Sequence, residues 1–89
     1  MDFEWDAEKE AANAQKHGVS FAEAAELFGD PLASTVHDPD HSEEEDRYVI
    51  FGKSEKGRYL VAVFTDRDGR IRLISARQMT RRERIAYEQ

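Results

Sequence analysis

Residues 47–77 contain three strand-like segments joined by two tight turns, and this run constrains the fold more than any other feature. The segments are RYVIFGKS, RYLVAVFTD and RIRLISAR, and the turns between them are EKG and RDG. Aromatic and β-branched residues favour strands, and short glycine-containing connections favour hairpins. The preceding segment LASTVHD has the same character and predicts one more strand. We therefore expect a four-stranded antiparallel meander sheet.

Helical segments flank this predicted sheet on both sides. Asp6 is a suitable N-cap for a first helix, AEKEAANAQKH. Capping boxes at Ser20 and Glu23 and at Thr80 and Glu83 predict a second helix, FAEAAELF, and a terminal helix, RRERIAYEQ. The N-terminal FEWD alternates apolar and acidic residues, which is typical of a short edge strand or of an anchored arm. The expected fold is α+β, with two N-terminal helices, the meander and a C-terminal helix.

Length and composition exclude several classes of protein. The 89 residues fit a single domain, residues 1–89. The absence of cysteine excludes disulfides, cysteine-based zinc sites and thiol catalysis. No apolar run approaches the ~20 residues of a membrane span, so we expect no membrane association and a cytoplasmic location.

The charge is divided unevenly along the chain. The formal net charge is -6, yet residues 58–89 hold eight arginines against four acidic residues. Residues 1–57 hold five basic residues against fifteen acidic ones. Such asymmetry indicates an anionic partner for the C-terminal half. Chance clustering on a solvated surface is the alternative.

The arginines of the last predicted strand are candidates for binding phosphate. Strand alternation places Arg70, Arg72 and Ile74 on one face and Ile71, Leu73 and Ser75 on the other. Arg77 follows just past the end of this pattern. A guanidinium matches the geometry of phosphate and stays charged, so arginines on a rigid sheet suit the stabilisation of a phosphorane during metal-free RNA cleavage. The alternative is that alternating arginines only keep an edge strand soluble.

A metal site is a weaker interpretation. The acidic loop contains His37, Asp38, Asp40 and His41, but no framework around them is evident from the sequence. We therefore predict neither a metal nor a cofactor.

Several motifs together resemble one protein family. These motifs follow one another over nearly the whole chain, and in this order they resemble the BrnT family of bacterial toxins: FEWD, KHGVSF, DP, RY, KGR and IRLISAR followed by RRER. The resemblance implies a RelE-like fold and a ribonuclease that cleaves RNA and blocks translation. It also implies a BrnA-like antitoxin protein whose ribbon-helix-helix domain binds promoter DNA, so that promoter DNA is bound only through the antitoxin. The alternative is a catalytically weak binding module that acts mainly in an antitoxin-containing autorepressor complex.

The same resemblance implies a set of candidate catalytic residues, and it leaves the general base unassigned. His17 has a second interpretation, because a histidine in the last turn of a helix interacts favourably with the helix dipole. The candidates are Lys16, His17, Glu45, Arg47, Arg58, Arg72 and Arg77.

Overall fold

The computed structural model describes residues 1–41 and 43–89, and these form one sheet with helices on both of its faces. In chain order the elements are β1 (Asp2–Glu4), α1 (Ala7–His17), α2 (Phe21–Ala25), β2 (Ser34–Asp38), β3 (Arg47–Lys53), β4 (Tyr59–Arg67), β5 (Arg70–Gln78) and α3 (Arg81–Glu88), with 3-10 turns at Glu26–Gly29 and Pro39–His41.

The sheet has five strands in the order β1-β5-β4-β3-β2. Strands β2 to β5 form the expected antiparallel meander, but β1 pairs in parallel with β5. The prediction of a four-stranded antiparallel sheet is therefore wrong in strand number and in the direction of the outermost pair. The FEWD alternation explains the extra strand, because Phe3 packs on the core while Glu4 lies beside Arg72.

The second predicted helix is also shorter than expected. The α-helix ends at Ala25, and a 3-10 turn continues to Gly29. This turn packs against β3, and within it Leu27 is fully buried. Phe28 meets the ring of Phe64 at 4.9 Å between centroids. A helical pattern in the sequence does not distinguish these two helix types at the end of a segment.

One face of the sheet, the core face, carries the hydrophobic core. Leu60, Ala62 and Phe64 of β4 lie on this face, and α2 covers it with Phe21 and Ala24. Burial of these side chains is the main source of stability in so small a domain.

A β-bulge at Ile74 changes the alternation of β5. Phe64 pairs with Leu73, but its neighbour Val63 pairs with Ser75, so Ile74 has no partner in the register. The bulge exchanges the faces of all residues that follow it. The predicted face of Ser75 is therefore wrong: it lies opposite Val63, on the other side of the sheet from the core.

The side chain of Asn13 completes the hydrogen bonding of β5 beyond the end of β1. Its amide group donates to the carbonyl oxygen of Ala76 at 2.8 Å and accepts from the Ala76 amide at 3.0 Å. It also donates to the Val19 carbonyl oxygen at 3.0 Å. Asn13 is buried, so it replaces the missing strand partner and holds α1 against the sheet edge.

The second face of the sheet, which we call the open face, is covered by α3 at the end of Tyr59 and Val61. At the other end Thr65 is buried and donates to the Asp46 carbonyl oxygen at 2.7 Å. The odd-numbered residues 59–65 of β4 lie on this face. Arg84 of α3 stacks over the Tyr59 ring at 4.1 Å, and Tyr87 donates a short hydrogen bond to Asp30. No side chain of residues 81–88 is fully buried, so α3 is held by polar and aromatic contacts. Among the described residues, no helix has the length and hydropathy needed to cross a membrane.

Candidate functional site

Five arginines of strands β3, β4 and β5 lie on the open face. Arg72 pairs in register with Thr65 and Arg77 pairs with Val61, so the bulge at Ile74 brings both guanidinium groups to the same side of the sheet. Arg67 and Arg70 are a register pair at the end of β4 and β5, and Arg47 begins β3 on the same face. Because Val61 and Thr65 are four residues apart, the Cα atoms of Arg72 and Arg77 are separated by about 13 Å along the strands.

Carboxylates accompany these arginines. Glu4 accepts from Arg72 at 2.9 Å and lies 3.7 Å from the Arg70 guanidinium. Glu45 pairs with Arg67 at 3.2 Å. Each pair is partly exposed to solvent, so the carboxylates hold the guanidinium groups in place without removing them from the reach of a ligand.

Arg77 has the best-defined position of the five. Its two terminal nitrogens donate to the two carboxylate oxygens of Glu83 at 2.8 and 2.9 Å. These hydrogen bonds raise the pKa of Arg77 and lower the pKa of Glu83 to about 2. Glu83 also accepts from the Thr80 amide in the capping box of α3. The start of α3 therefore fixes the Arg77 side chain.

The middle of the open face is apolar. Val49 and Val63 are paired in register and half-buried, and Val36 of β2 lies beside Val49. This strip separates the end that carries Arg72 from the end that carries Arg77. The open face thus offers two cationic places with an apolar surface between them, which suits a ligand that has both phosphates and bases.

Three of the predicted residues lie together at another place, where the end of α1 meets the turn before β4. Lys16 is exposed and His17 is half-buried in the last turn of α1. Arg58 donates to the carbonyl oxygen of Gly18 at 2.9 Å.

Arg58 is bound to a buried acid. Its guanidinium donates to the two carboxylate oxygens of Glu23 at 2.5 and 3.0 Å, and Glu23 also accepts from the Ser54 hydroxyl at 2.8 Å. These bonds lower the pKa of Glu23, and the hydrogen bond to Glu23 raises the pKa of Arg58. Because Arg58 precedes Tyr59, it points to the core face. Its contacts are those of a residue that joins α1, α2 and the β3–β4 hairpin.

The seven candidates therefore divide into two groups. Arg47, Arg72 and Arg77 share the open face, and Glu45 borders it through its contact with Arg67. Lys16, His17 and Arg58 form the second group.

Sequence reasoning missed two acids that set this geometry, Glu4 and Glu83. Glu83 was visible as the third residue of a capping box, but its pairing with Arg77 depends on the bulge. Nothing in the sequence around Glu4 indicates its contact with Arg72, because Arg72 is 68 residues away in the chain.

Among residues 1–41 and 43–89, no group of three or more histidine and carboxylate side chains is arranged to hold a metal ion. His37 of β2 lies 3.1 Å from Asp46, and His41 lies 2.9 Å from Asp38, so the two histidines contact different acids.

Comparison with known proteins gives two findings. A family model described as the ribonuclease toxin, BrnT, of type II toxin-antitoxin systems matches residues 5–83. The crystal structure of the Brucella abortus ribonuclease toxin BrnT superposes with a TM-score of 0.67 at 23% sequence identity, covering 91% of this chain and 99% of that chain. At this identity the superposition shows a shared fold. A search of curated proteins finds no significant match.

Proposed function

This chain belongs to the BrnT family of ribonuclease toxins of type II toxin-antitoxin systems, and on that basis we propose that it cleaves RNA on the open face of its sheet without a metal ion. The observation that carries the proposal is the bulge at Ile74, which brings Arg72 and Arg77 to one accessible face. A bulge beside a functional site commonly redirects a side chain in this way.

Cleavage of RNA by attack of the 2′-hydroxyl involves three tasks. The 2′-hydroxyl of one nucleotide loses a proton and attacks the adjacent phosphorus, the extra negative charge of the phosphorane is stabilised, and the 5′-oxygen leaves with a proton. One of the two arginines, Arg72 or Arg77, serves the second task, since charged N–H donors that are already in position lower the barrier without reorganisation. The other binds a neighbouring phosphate of the RNA, because the two Cα atoms are about 13 Å apart. The ion pairs with Glu4 and Glu83 provide that pre-organisation.

The proton-transfer groups are proposed among the acids of this face. Glu4 and Glu45 are carboxylates in direct contact with open-face arginines. One of these carboxylates accepts the 2′-hydroxyl proton, and the carboxylic acid that forms returns a proton to the leaving 5′-oxygen. Lys16, His17 and Arg58 lie in the second group, and we propose that they act through folding.

The test of metal-free cleavage uses the purified protein and a short RNA of defined sequence. We expect cleavage to continue in EDTA and to leave 2′,3′-cyclic phosphate or 3′-phosphate ends, because the 2′-oxygen is the nucleophile. Loss of activity in EDTA that a divalent ion restores would disprove the metal-free mechanism. Products with 5′-phosphate ends would disprove attack by the 2′-oxygen.

The family implies an antitoxin partner, and we propose that it is BrnA-like, with a ribbon-helix-helix domain that binds promoter DNA in the cytoplasm. Its acidic side chains would occupy the open-face arginines and exclude RNA. Opposite charges would speed encounter, so added salt should slow association more than dissociation. Binding kinetics across salt concentrations, with RNA as competitor, test this. Simultaneous binding of antitoxin and RNA would show that occlusion is the wrong mechanism.

A further inference from the structure

Strand β2, which lies at one edge of the sheet, has an unprotected edge. In the sheet formed by the described residues β2 pairs with β3 and ends the strand order. Its sequence, STVHD, contains neither lysine nor proline, and its register with β3 is continuous, without a bulge. Proteins usually carry one of these features on an exposed edge to prevent pairing with another chain.

An apolar cleft lies beside this edge on the open face. It has a volume of about 320 Å³ and runs between α3 and β2, with Phe51 and Ala86 in its walls. Val36 lines the cleft and is 48% exposed. Leu32, just before β2, is 75% exposed. The edge is therefore bordered by apolar surface that remains in contact with solvent.

The two ends of β2 differ in charge. Beyond Asp38 the chain continues through the exposed acids Asp40, Glu43 and Glu44. At the opposite end, Ser34 lines the same cleft as Arg82 of α3. An antiparallel two-fold pairing of two β2 strands would place the acidic end of each copy beside the arginine end of the other.

We propose that β2 is a self-association surface, which pairs with β2 of a second copy around a two-fold axis at Val36. The two sheets then form one continuous ten-stranded sheet, with Val36 facing Val36 of the partner and Ser34 facing the partner's Asp38. The interface is self-complementary, as a two-fold dimer requires. A strand of five residues buries little area, so the dimer is weak, with a dissociation constant on the order of tens of micromolar.

The first experiment measures the molar mass of the purified full chain by sedimentation between about 5 and 500 µM, a range that spans such a constant. We expect dimerisation that weakens as salt rises. Val36→Lys should raise the dissociation constant at least about tenfold by placing a charge at the centre of the pairing. Arg82→Glu should raise it as well, by removing the charge complement. Lys9→Glu, the same charge change on α1, should leave it unchanged.

A monomer at every concentration would overturn the proposal, as would a dimer that is insensitive to Val36→Lys. These experiments measure the association of two copies of the chain, so their outcome is independent of the outcome of the cleavage assays.

The second experiment uses the absence of cysteine in the natural sequence. Directly opposed residues of paired strands have Cβ atoms about 4.5–5.5 Å apart, close enough for a disulfide after small adjustment. Val36→Cys should therefore form a covalent dimer on mild oxidation. Ser34→Cys is a matched control, because the two Ser34 residues would be about 13 Å apart. A mixture of the Ser34→Cys and Asp38→Cys chains should cross-link while neither does alone. Cross-linking of Ser34→Cys as fast as Val36→Cys would overturn the two-fold register.

Discussion

The contact between Arg58 and Glu23 gives the sharpest prediction for stability. Arg58→Ala removes two hydrogen bonds to a carboxylate whose side chain is only 6% exposed, and one to the Gly18 carbonyl oxygen. Loss of one partner from a buried pair costs about 3–5 kcal/mol. The Arg58 side chain is 31% exposed, which lowers the expected loss to about 2–4 kcal/mol.

The assay is urea or thermal unfolding followed by circular dichroism. A loss of about 3 kcal/mol corresponds to a decrease in Tm of about 12–24 °C in a domain of this size. Arg67→Ala is the matched control, because its pair with Glu45 is more exposed, at 49% and 33% of the two side chains. That variant should lose less than about 1 kcal/mol.

If Arg58→Ala keeps the stability of the wild type and yet loses RNA cleavage, Arg58 acts in the reaction and the structural assignment is wrong. A double-mutant cycle with Glu23→Ala measures the pair itself, and we expect a coupling energy of about 2 kcal/mol.

Two further predictions concern other contacts. Asn13→Ala leaves the buried N–H and C=O of Ala76 without their partner and should cost about 2–4 kcal/mol in urea unfolding; a loss below about 0.5 kcal/mol would contradict the role of Asn13. The pKa of Glu83 is lowered to about 2 from 4.5, so its contribution to stability is complete above about pH 4.5 and is lost as the pH falls toward 2. Glu83→Gln should therefore flatten the acid side of the stability profile, and an unchanged slope between these pH values would contradict the pairing with Arg77.

The sequence predicted most of the secondary structure because its signals are local. The glycine turns and strand-forming residues of 47–77 identify the meander, and Thr80 with Glu83 forms the predicted capping box in the structure. The strand β1 was predicted only as one of two alternatives for FEWD, and its parallel pairing with β5 was not predicted, because its three residues pair with a strand almost 70 positions away. Long-range pairing of this kind leaves little trace in a short segment.

The candidate site was predictable in residue type but not in arrangement. Arg72 and Arg77 stand out by charge, but simple alternation assigns them to different faces, and only the bulge at Ile74 brings them together. Nothing in the isolated sequence of β5 marks this position. The sequence alone does not distinguish Arg58 from Arg72, because both are arginines of the basic C-terminal half. The contact of Arg58 with Glu23, which sets it apart, is visible only in the structure.

Single-turnover cleavage of a defined RNA measures the contribution of the open-face arginines to catalysis. The comparison is between the wild type, the double variant Arg72→Ala with Arg77→Ala, and Lys9→Ala as a control for lost positive charge, with folding checked by circular dichroism. We expect a rate at least about 100-fold lower for the folded double variant and a rate within about twofold of the wild type for Lys9→Ala. A folded double variant that cleaves RNA at the wild-type rate would show that Arg72 and Arg77 do not take part in cleavage.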